Sequence, residues 1–124
     1  MSKVNLSEKF DQISDHWQPR LAGRVNETDV RLVKIEGDFD WHSHANEDEM
    51  FVVIKGEMRM AFRDRVEIVK AGEFIIVPRG TEHRPGADEE CEIMLIEPSS
   101  VVNTGDGAAT TRTVSEVKRS SRKS

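Results

Sequence analysis

The feature that most constrains the fold is a series of short apolar runs, rich in Val, Ile and Phe, that extends from Val30 to Glu97. Gly, Pro and Asp separate these runs, and no helical periodicity occurs between them, which is typical of β-strands. We predict strands at Val30–Glu36, Phe39–His44, Glu49–Lys55, Met58–Phe62, Val66–Val69, Phe74–Val77, from His83 onward and at Cys91–Glu97. Strands at intervals of about eight to twelve residues predict an all-β fold, an antiparallel sandwich or barrel, rather than βαβ units.

The N-terminal end of the chain has a different pattern. Leu6, Phe10 and Ile13 have helical spacing, which predicts a short amphipathic helix. Asn5 and Glu8 are spaced as a capping box at the start of this helix. We therefore treat residues 1–29 as an N-terminal helix and lead-in to the β-rich region, residues 30–98.

The C-terminal end, residues 99–124, is rich in Ser, Thr, Gly and Ala and has no apolar periodicity. Its last part carries five basic residues and one acid, namely Arg112, Lys118, Arg119, Arg122 and Lys123 with Glu116. Such a segment can contact RNA or anionic lipid, but its composition favours a solvated, flexible tail. We therefore predict a polar, basic and flexible C-terminal tail after the β-rich domain.

The overall composition excludes several classes of protein. The 124 residues include 18 Lys and Arg against 23 Asp and Glu, and this net charge of −5 disfavours a nucleic-acid-binding protein, because phosphate contacts need a basic surface. The single cysteine cannot form an intrachain disulfide and is typical of the reducing cytoplasm. No apolar run reaches the roughly 18 residues of a membrane helix, and the N-terminus lacks the apolar core of a signal peptide. The sequence therefore predicts a cytoplasmic protein that binds neither nucleic acid nor membranes.

Three histidines and one acid in the β-rich region are candidate metal ligands. His42 and His44 are two residues apart, so in a strand both imidazoles project from the same face. Glu49 begins the next apolar strand, and a hairpin can bring its carboxylate opposite the histidine pair. His83 follows the turn at residues 78–80, which returns the chain, so a third imidazole can converge from another strand. Three imidazoles and one carboxylate favour one divalent transition metal, Mn, Fe, Co, Ni, Cu or Zn, over Mg or Ca.

The spacing of these residues resembles the two sequence motifs of the cupin superfamily. The first motif, G-x5-H-x-H-x3/4-E-x6-G, corresponds to Gly37-x4-His42-Ser43-His44-x4-Glu49-x6-Gly56. The second, G-x5-P-x-G-x2-H-x3-N, corresponds to Gly72-x5-Pro78-Arg79-Gly80-x2-His83-x3-Ala87. Two positions differ from the pattern, since the first glycine lies one residue closer to the histidines and Ala87 replaces the asparagine.

This resemblance covers about Val30 to Glu97 and implies an antiparallel jelly-roll barrel. In the family, the two histidines and the glutamate of the first motif and the histidine of the second motif bind one metal inside the barrel. Carried over to this chain, these ligands are His42, His44, Glu49 and His83. The resemblance also implies a homodimer, and it is most suggestive of the small cupins grouped with phosphomannose isomerases.

Strand alternation extends the candidate site beyond the four ligands. Glu47 has the same parity as Glu49, so alternation alone leaves the choice of acid open, whereas the family spacing favours Glu49. Asp40 has the parity of His42, and we predict that it orients an imidazole by a hydrogen bond to the ring nitrogen that does not bind the metal. The residues predicted to line a pocket beside the metal are Phe51, Val53, Met58, Met60 and Phe62.

The predicted site indicates the class of ligand. Four protein ligands leave two positions open on a six-coordinate ion. One carboxylate leaves a formal charge of +1 on a divalent site, which favours an anionic or bidentate oxygen donor such as an enolate, a keto acid or a catecholate. We predict a small metal-dependent enzyme, a dioxygenase or an isomerase, although the sequence offers no general base beyond the ligands. The alternative is a non-catalytic module that binds or senses a small molecule.

Overall fold

The computed structural model describes residues 2–107, 110, 112–114 and 117–120. Within these residues the chain forms one short helix and eight strands. Their bounds are α1 Leu6–Asp11, β1 Arg20–Val25, β2 Thr28–Asp38, β3 Glu49–Lys55, β4 Glu57–Phe62, β5 Val66–Lys70, β6 Phe74–Val77, β7 His83–Pro98 and β8 Lys118–Arg119. The predicted all-β class with a short N-terminal helix is confirmed.

Most of the predicted strands are present with similar bounds. β3 and β6 begin and end where the sequence predicts, and β2, β4 and β5 differ by one or two residues at their ends. The two strands predicted from His83 onward and at Cys91–Glu97 are one continuous strand, β7. β1 was not predicted, because its sequence is short, contains two arginines and is interrupted by Gly23, where the pairing with β2 shifts.

The long strand β7 organises the sheet. One of its edges pairs antiparallel with β2 along most of its length. Its other edge pairs with β4 through its first residues and with β3 through residues 92–96. β4 continues to β5, and β3 continues to β6. Among the described residues β5 and β6 each pair with one strand only, so the sheet is not closed, and its curvature wraps around the core.

The apolar side chains form two clusters, one on each face of the sheet. The main core fills the inside of the curved sheet with side chains from β2, β3, β4 and β7. The second cluster lies on the outer face, where Phe10 and Ile13 pack on Leu32 of β2 beneath α1. Asn5 caps this helix, because its side-chain oxygen accepts a hydrogen bond from the backbone N–H of Glu8, as the capping box predicts. No helix in the described part of the chain is long and apolar enough to cross a membrane.

The prediction of a strand at Phe39–His44 is wrong. β2 ends at Asp38, after a β-bulge at residues 35–37 where Gly37 has a φ of 78°. Beyond it, only His42 forms a β-bridge, with His83, and Phe39 N–H bonds to the carbonyl of Pro85. The pairing with β7 shifts register at this bulge and continues only as far as Phe39, so both histidines of the first motif lie outside the ladder. We refer to residues 39–45 as the histidine loop.

Part of the segment expected to be a flexible tail contacts the rest of the domain. Val101 is buried, and the backbone N–H of Asp106 bonds to the carbonyl of Ser43 in the histidine loop. β8 pairs parallel with β1, at the edge of the sheet. The basic residues Arg122 and Lys123 lie outside the described residues.

Candidate metal centre

The structure brings the four predicted metal ligands together in one buried site. His42 and His44 lie in the histidine loop, Glu49 is the first residue of β3, and His83 is the first residue of β7. All four side chains are buried. The ring centroids of His42 and His83 are 4.2 Å apart, and those of His42 and His44 are 5.2 Å apart.

Two of the three imidazoles are oriented by main-chain carbonyl groups. His42 Nδ1 lies 2.9 Å from the carbonyl oxygen of Asp40, and His83 Nδ1 lies 2.9 Å from the carbonyl oxygen of Thr81. A carbonyl oxygen can only accept a hydrogen bond, so each Nδ1 carries a hydrogen and donates it. In a neutral ring this leaves the lone pair on Nε2, which is the form of histidine that binds a metal.

Glu49 brings a carboxylate oxygen into the same space. Its Oε1 lies 2.9 Å from Nε2 of His44 and 3.1 Å from Nε2 of His83. A lone pair on His83 Nε2 that faces a carboxylate oxygen is unfavourable unless a cation or a proton lies between them. In the described part of the chain, neither ring nitrogen of His44 has a hydrogen-bond partner of good geometry. Buried acceptors therefore outnumber donors here, which is the pattern of a cation site.

The protonation states of the ligands differ. Burial, with a smaller contribution from His83, lowers the pKa of His42 to about 4. Burial also disfavours the charged form of His44, but the Glu49 carboxylate outweighs this effect and raises the pKa of His44. Burial disfavours the charge of Glu49 too, but contacts with two imidazoles and with Glu97 hold its pKa below the ordinary value. At neutral pH His42 and Glu49 are therefore in their metal-binding forms, whereas the raised pKa of His44 makes a proton compete with a metal for this ligand.

The donor set fits a divalent transition metal. One donor atom from each of the four residues lies within 4.8 Å of the others. Two ligands on opposite sides of one ion, with bonds of about 2.1 Å, are about 4.2 Å apart, so small side-chain movements bring all four into contact with a single ion. Imidazole nitrogen with one carboxylate suits Mn, Fe, Co, Ni, Cu or Zn, whereas Mg and Ca prefer oxygen ligands.

Glu97 is a buried acid beside this centre that the sequence analysis did not select. Its side chain is almost fully buried, it lies across from Glu49 in the register of β3 and β7, and its Oε2 lies 2.9 Å from Nη1 of Arg31. Burial and the charge of Glu49 raise the pKa of Glu97 well above its ordinary value. The sequence did contain a signal, because Glu97 continues the inward-facing alternation of β7, where a charged residue is unusual.

A narrow cavity with about 40 Å³ of free volume adjoins the centre and is bordered by His42, Glu49 and Glu97. Two of the five predicted pocket residues, Phe51 and Met58, line it. The other three, Val53, Met60 and Phe62, belong to the main core and do not border this cavity. Much of the remaining wall comes from residues that alternation in β3 and β4 could not identify, including Trp17, Val33, Ile35, Phe39, Leu95 and Asn103.

Asp40 and Glu47 lie close to the ligands but contact them differently from the prediction. Asp40 orients His42 through its main-chain carbonyl, whereas its carboxylate accepts a hydrogen bond from the hydroxyl of Thr110. Glu47 lies near the other ring nitrogen of His44, with 3.8 Å between Oε1 and Nδ1, and also accepts a hydrogen bond from Ser100. Glu49 is therefore the acid that contacts His44 and His83 and whose carboxylate oxygen lies within 4.8 Å of a nitrogen of each imidazole.

Comparison with known proteins identifies the family of this fold. A family model described as the cupin domain matches residues 30–97. The chain belongs to the cupin family. This cupin is 35% identical over 86 residues to YdbB, an uncharacterised protein of Bacillus subtilis strain 168, in a match that covers 68% of this chain and 76% of YdbB.

Two solved structures resemble this cupin closely. A cupin-2 domain containing protein from Shewanella frigidimarina is 46% identical, with a TM-score of 0.76, and the match covers 77% of this chain and 93% of that one. Protein NMB1881 from Neisseria meningitidis is 32% identical, with a TM-score of 0.73, and the match covers 79% of this chain and all of that one. The expected cupin jelly-roll fold is therefore confirmed.

Proposed function

We propose that this cupin binds one divalent transition metal and uses it to bind a small anionic or bidentate oxygen-donor molecule. The observation that carries the proposal is the convergence of buried acceptor atoms from His42, His44, Glu49 and His83 without a matching set of donors. Unpaired buried acceptors cost free energy, and a bound divalent cation removes that cost.

Metal binding is tested with metal-stripped protein titrated with Co²⁺. We expect one bound ion per chain in the wild type and loss of most binding in His44→Ala, because one of the four ligands is removed. The matched control is His16→Ala, since His16 is a partly exposed histidine outside the site that pairs with Glu90 at 2.7 Å. Full stoichiometry in a folded His44→Ala variant would contradict the proposal.

The charge of the site supports an anionic ligand. A divalent ion beside the ionised Glu49 keeps a formal charge of +1, and burial together with the charge of Glu49 raises the pKa of Glu97, which favours the neutral form of that second acid. Arg31 and Asp29 form a buried ion pair, with 3.0 Å between Nη2 and Oδ2, so they add no net charge. A positive centre in a largely apolar cavity favours an enolate, a keto acid or a catecholate over a neutral molecule.

The reaction that we propose at this site is that of a dioxygenase or an isomerase. A divalent metal, when bound, supplies Lewis-acid chemistry, and a redox-active metal also supplies dioxygen chemistry. The residues of the chain exclude water through apolar walls such as Phe51 and Met58, and Glu97, whose pKa is raised, lies at the cavity wall. The isomerase alternative follows the resemblance to the small cupins grouped with phosphomannose isomerases.

Catalysis is tested with Fe²⁺-loaded protein and a panel of enolisable and phenolic acids. Oxygen consumption with a new product supports a dioxygenase, and product formation without oxygen consumption supports an isomerase. Tight binding without turnover of any member supports the alternative, a non-catalytic binding or sensing module. The homodimer and the cytoplasmic location stay predictions, and size-exclusion chromatography with light scattering tests the first of them.

A further inference from the structure

The cavity beside the metal centre opens to solvent at Trp17 and Asn103. These two lining residues are partly exposed, whereas the other residues that line the cavity are buried. The free volume of about 40 Å³ is far below the roughly 300–1,000 Å³ of a typical ligand pocket, so the cavity holds only part of a ligand. A molecule whose oxygen atoms reach the metal therefore extends outward past Trp17 and Asn103.

Trp17 is held in an uncommon backbone conformation at this opening. Its φ is 62°, in the left-handed region that bulky residues seldom adopt, and such a conformation persists only where the surroundings fix it. The backbone N–H of Trp17 donates to the carbonyl of Lys34, and its indole Nε1–H donates to the carbonyl of Glu36, each at 2.9 Å. Both bonds tie the indole to β2, so its ring has a fixed position before any ligand binds.

The indole belongs to a series of rings that leads from the opening to the predicted metal ligands. It stacks on Phe39, with 4.6 Å between the ring centroids and 19° between the planes. Phe39 in turn meets His42 edge to face, with centroids 5.5 Å apart. All three rings border the cavity. We refer to Trp17 and Phe39 as the aromatic wall.

Arg112 lies beside the aromatic wall. Its guanidinium carbon is 6.0 Å from the ring centroid of Trp17 and 5.6 Å from that of Phe39. Since the two rings are 4.6 Å apart, these distances place the guanidinium alongside the stacked pair and not on the face of the indole that points away from Phe39. Neither Phe39 nor Arg112 therefore covers that face of Trp17.

We propose that Trp17 is a specificity-determining residue that packs on the part of the ligand outside the cavity, and that this part is an aromatic ring. The inference rests on the proposed metal site and narrows its ligand to an aromatic molecule with two adjacent oxygen donors. Aromatic rings pack on one another in offset or edge-to-face arrangements that a saturated ring does not reproduce. A wall that is fixed in advance loses little conformational entropy on binding, so this contact adds affinity.

The test compares the binding of two acids, mandelate and hexahydromandelate, to the Co²⁺-loaded protein. Both carry the same hydroxyl and carboxylate oxygens on the same carbon skeleton, but the ring is aromatic in mandelate and saturated in hexahydromandelate. The visible absorption of Co²⁺ follows their binding. The ratio of the two affinities is compared among variants, which cancels any difference in how the two acids bind the metal.

The variants separate the ring of Trp17 from its backbone. Trp17→Leu removes the aromatic ring, and Trp17→Phe keeps one. Neither replacement is a glycine, so both retain the constraint of the left-handed backbone. Phe74→Leu is the matched control, because Phe74 is 59% exposed and does not border the cavity.

We expect the wild type and Phe74→Leu to bind mandelate about five- to tenfold more tightly than hexahydromandelate, which is the upper part of the range for one aromatic pair. Trp17→Phe should keep most of this preference, whereas in Trp17→Leu it should fall below about twofold. The affinity for Co²⁺ without acid should stay within about threefold in all variants, because no metal ligand is changed.

Tryptophan fluorescence gives a second readout, because the chain has two tryptophans and Trp17→Phe leaves only Trp41. Zn²⁺ replaces Co²⁺ in this measurement, since Co²⁺ itself quenches tryptophan emission. We expect mandelate to change the emission of the wild type but not that of Trp17→Phe.

The inference is overturned if the wild type binds both acids equally, if neither acid binds to the Co²⁺-loaded protein, or if folded Trp17→Leu keeps the wild-type preference. If Trp17→Leu does not fold, fluorescence decides, since equal emission changes in the wild type and Trp17→Phe overturn the inference. A wild type that binds no Co²⁺ refutes the proposed metal site itself, and the titration without acid detects that outcome separately.

Discussion

The inner face of this cupin carries two groups of polar side chains that are held in place by different means. The first group, which we call the acid row, is Asp29, Glu97 and Glu49, which lie opposite one another on β2, β7 and β3, so the hydrogen-bond register of the sheet fixes their spacing. The histidine loop has a single β-bridge, at His42, and the positions of its imidazoles depend on contacts with distant segments. The positions of the first group are thus determined by regular secondary structure, and those of the second group by tertiary contacts.

The C-terminal segment supplies several of the contacts that hold the histidine loop. The carboxylate of Asp106 accepts a hydrogen bond from the backbone N–H of Ala45, 61 residues earlier in the chain. The backbone N–H of Asp106 donates in turn to the carbonyl of Ser43. Changes in this segment should therefore alter metal binding without altering any ligand, whereas similar changes elsewhere on the surface should not.

The largest expected effect is a pH dependence of metal affinity, which we expect to come from the histidine loop and not from the acid row. His44, in the histidine loop, has a raised pKa, so below that pKa a proton occupies the ligand and must be released when the metal binds. Glu49, in the acid row, has a lowered pKa and stays ionised over the same range. We therefore expect the affinity for Co²⁺ to fall by about tenfold per pH unit between pH 6.5 and 5.5.

Calorimetric titration at pH 7.5, 6.5 and 5.5 measures this effect. Titrations in two buffers of different ionisation enthalpy also count the protons released. His42 does not compete in this range, because its pKa is about 4. A constant affinity from pH 7.5 to 5.5, in protein that circular dichroism shows to be folded, would contradict the assignment of His44 as the titrating ligand.

Gly105→Ala tests whether the C-terminal segment positions the histidine loop. A Cβ atom at this position would lie 2.5 Å from the carbonyl oxygen of Ser43 and 2.9 Å from Cβ of His42, so the loop must move. Gly105 also has a φ of 82°, which an alanine adopts at a cost of about 1–2 kcal/mol. We expect the free energy of unfolding to fall by about 2–4 kcal/mol and the affinity for Co²⁺ to fall by about tenfold.

Gly72→Ala is the matched control for this substitution. Gly72 has a φ of 85°, but a Cβ atom there would meet no atom within 4 Å. It therefore imposes the same backbone strain without the displacement of the histidine loop. Urea unfolding and Co²⁺ titration of both variants separate the two effects, and equal affinities in Gly105→Ala and Gly72→Ala would show that the segment does not position the ligands.

The contrast between positions fixed by regular secondary structure and positions fixed by tertiary contacts explains how much of the molecule could be predicted from the sequence. Strand alternation and motif spacing identified β3, β6 and the four ligands, because local pattern determines regular strands and the family spacing determines the ligands. They did not predict that residues 39–44 leave the sheet, because the bulge at residues 35–37 depends on the pairing with β7. Nor did they select Glu97, whose position between Asp29 and Glu49 depends on the register of two strand pairs.

Asp40→Asn has the smallest expected effect and tests, at a single residue, whether the main chain or the side chain orients the imidazole of His42. Strand parity predicts that this carboxylate orients an imidazole, whereas the structure bonds His42 Nδ1 to the main-chain carbonyl of Asp40. Asparagine keeps that carbonyl, and its side-chain oxygen can still accept from Thr110. We therefore expect the affinity for Co²⁺ to stay within about twofold of the wild type. A tenfold loss of Co²⁺ affinity in the folded variant would mean that the charge of the Asp40 side chain, and not the backbone of the histidine loop, orients His42.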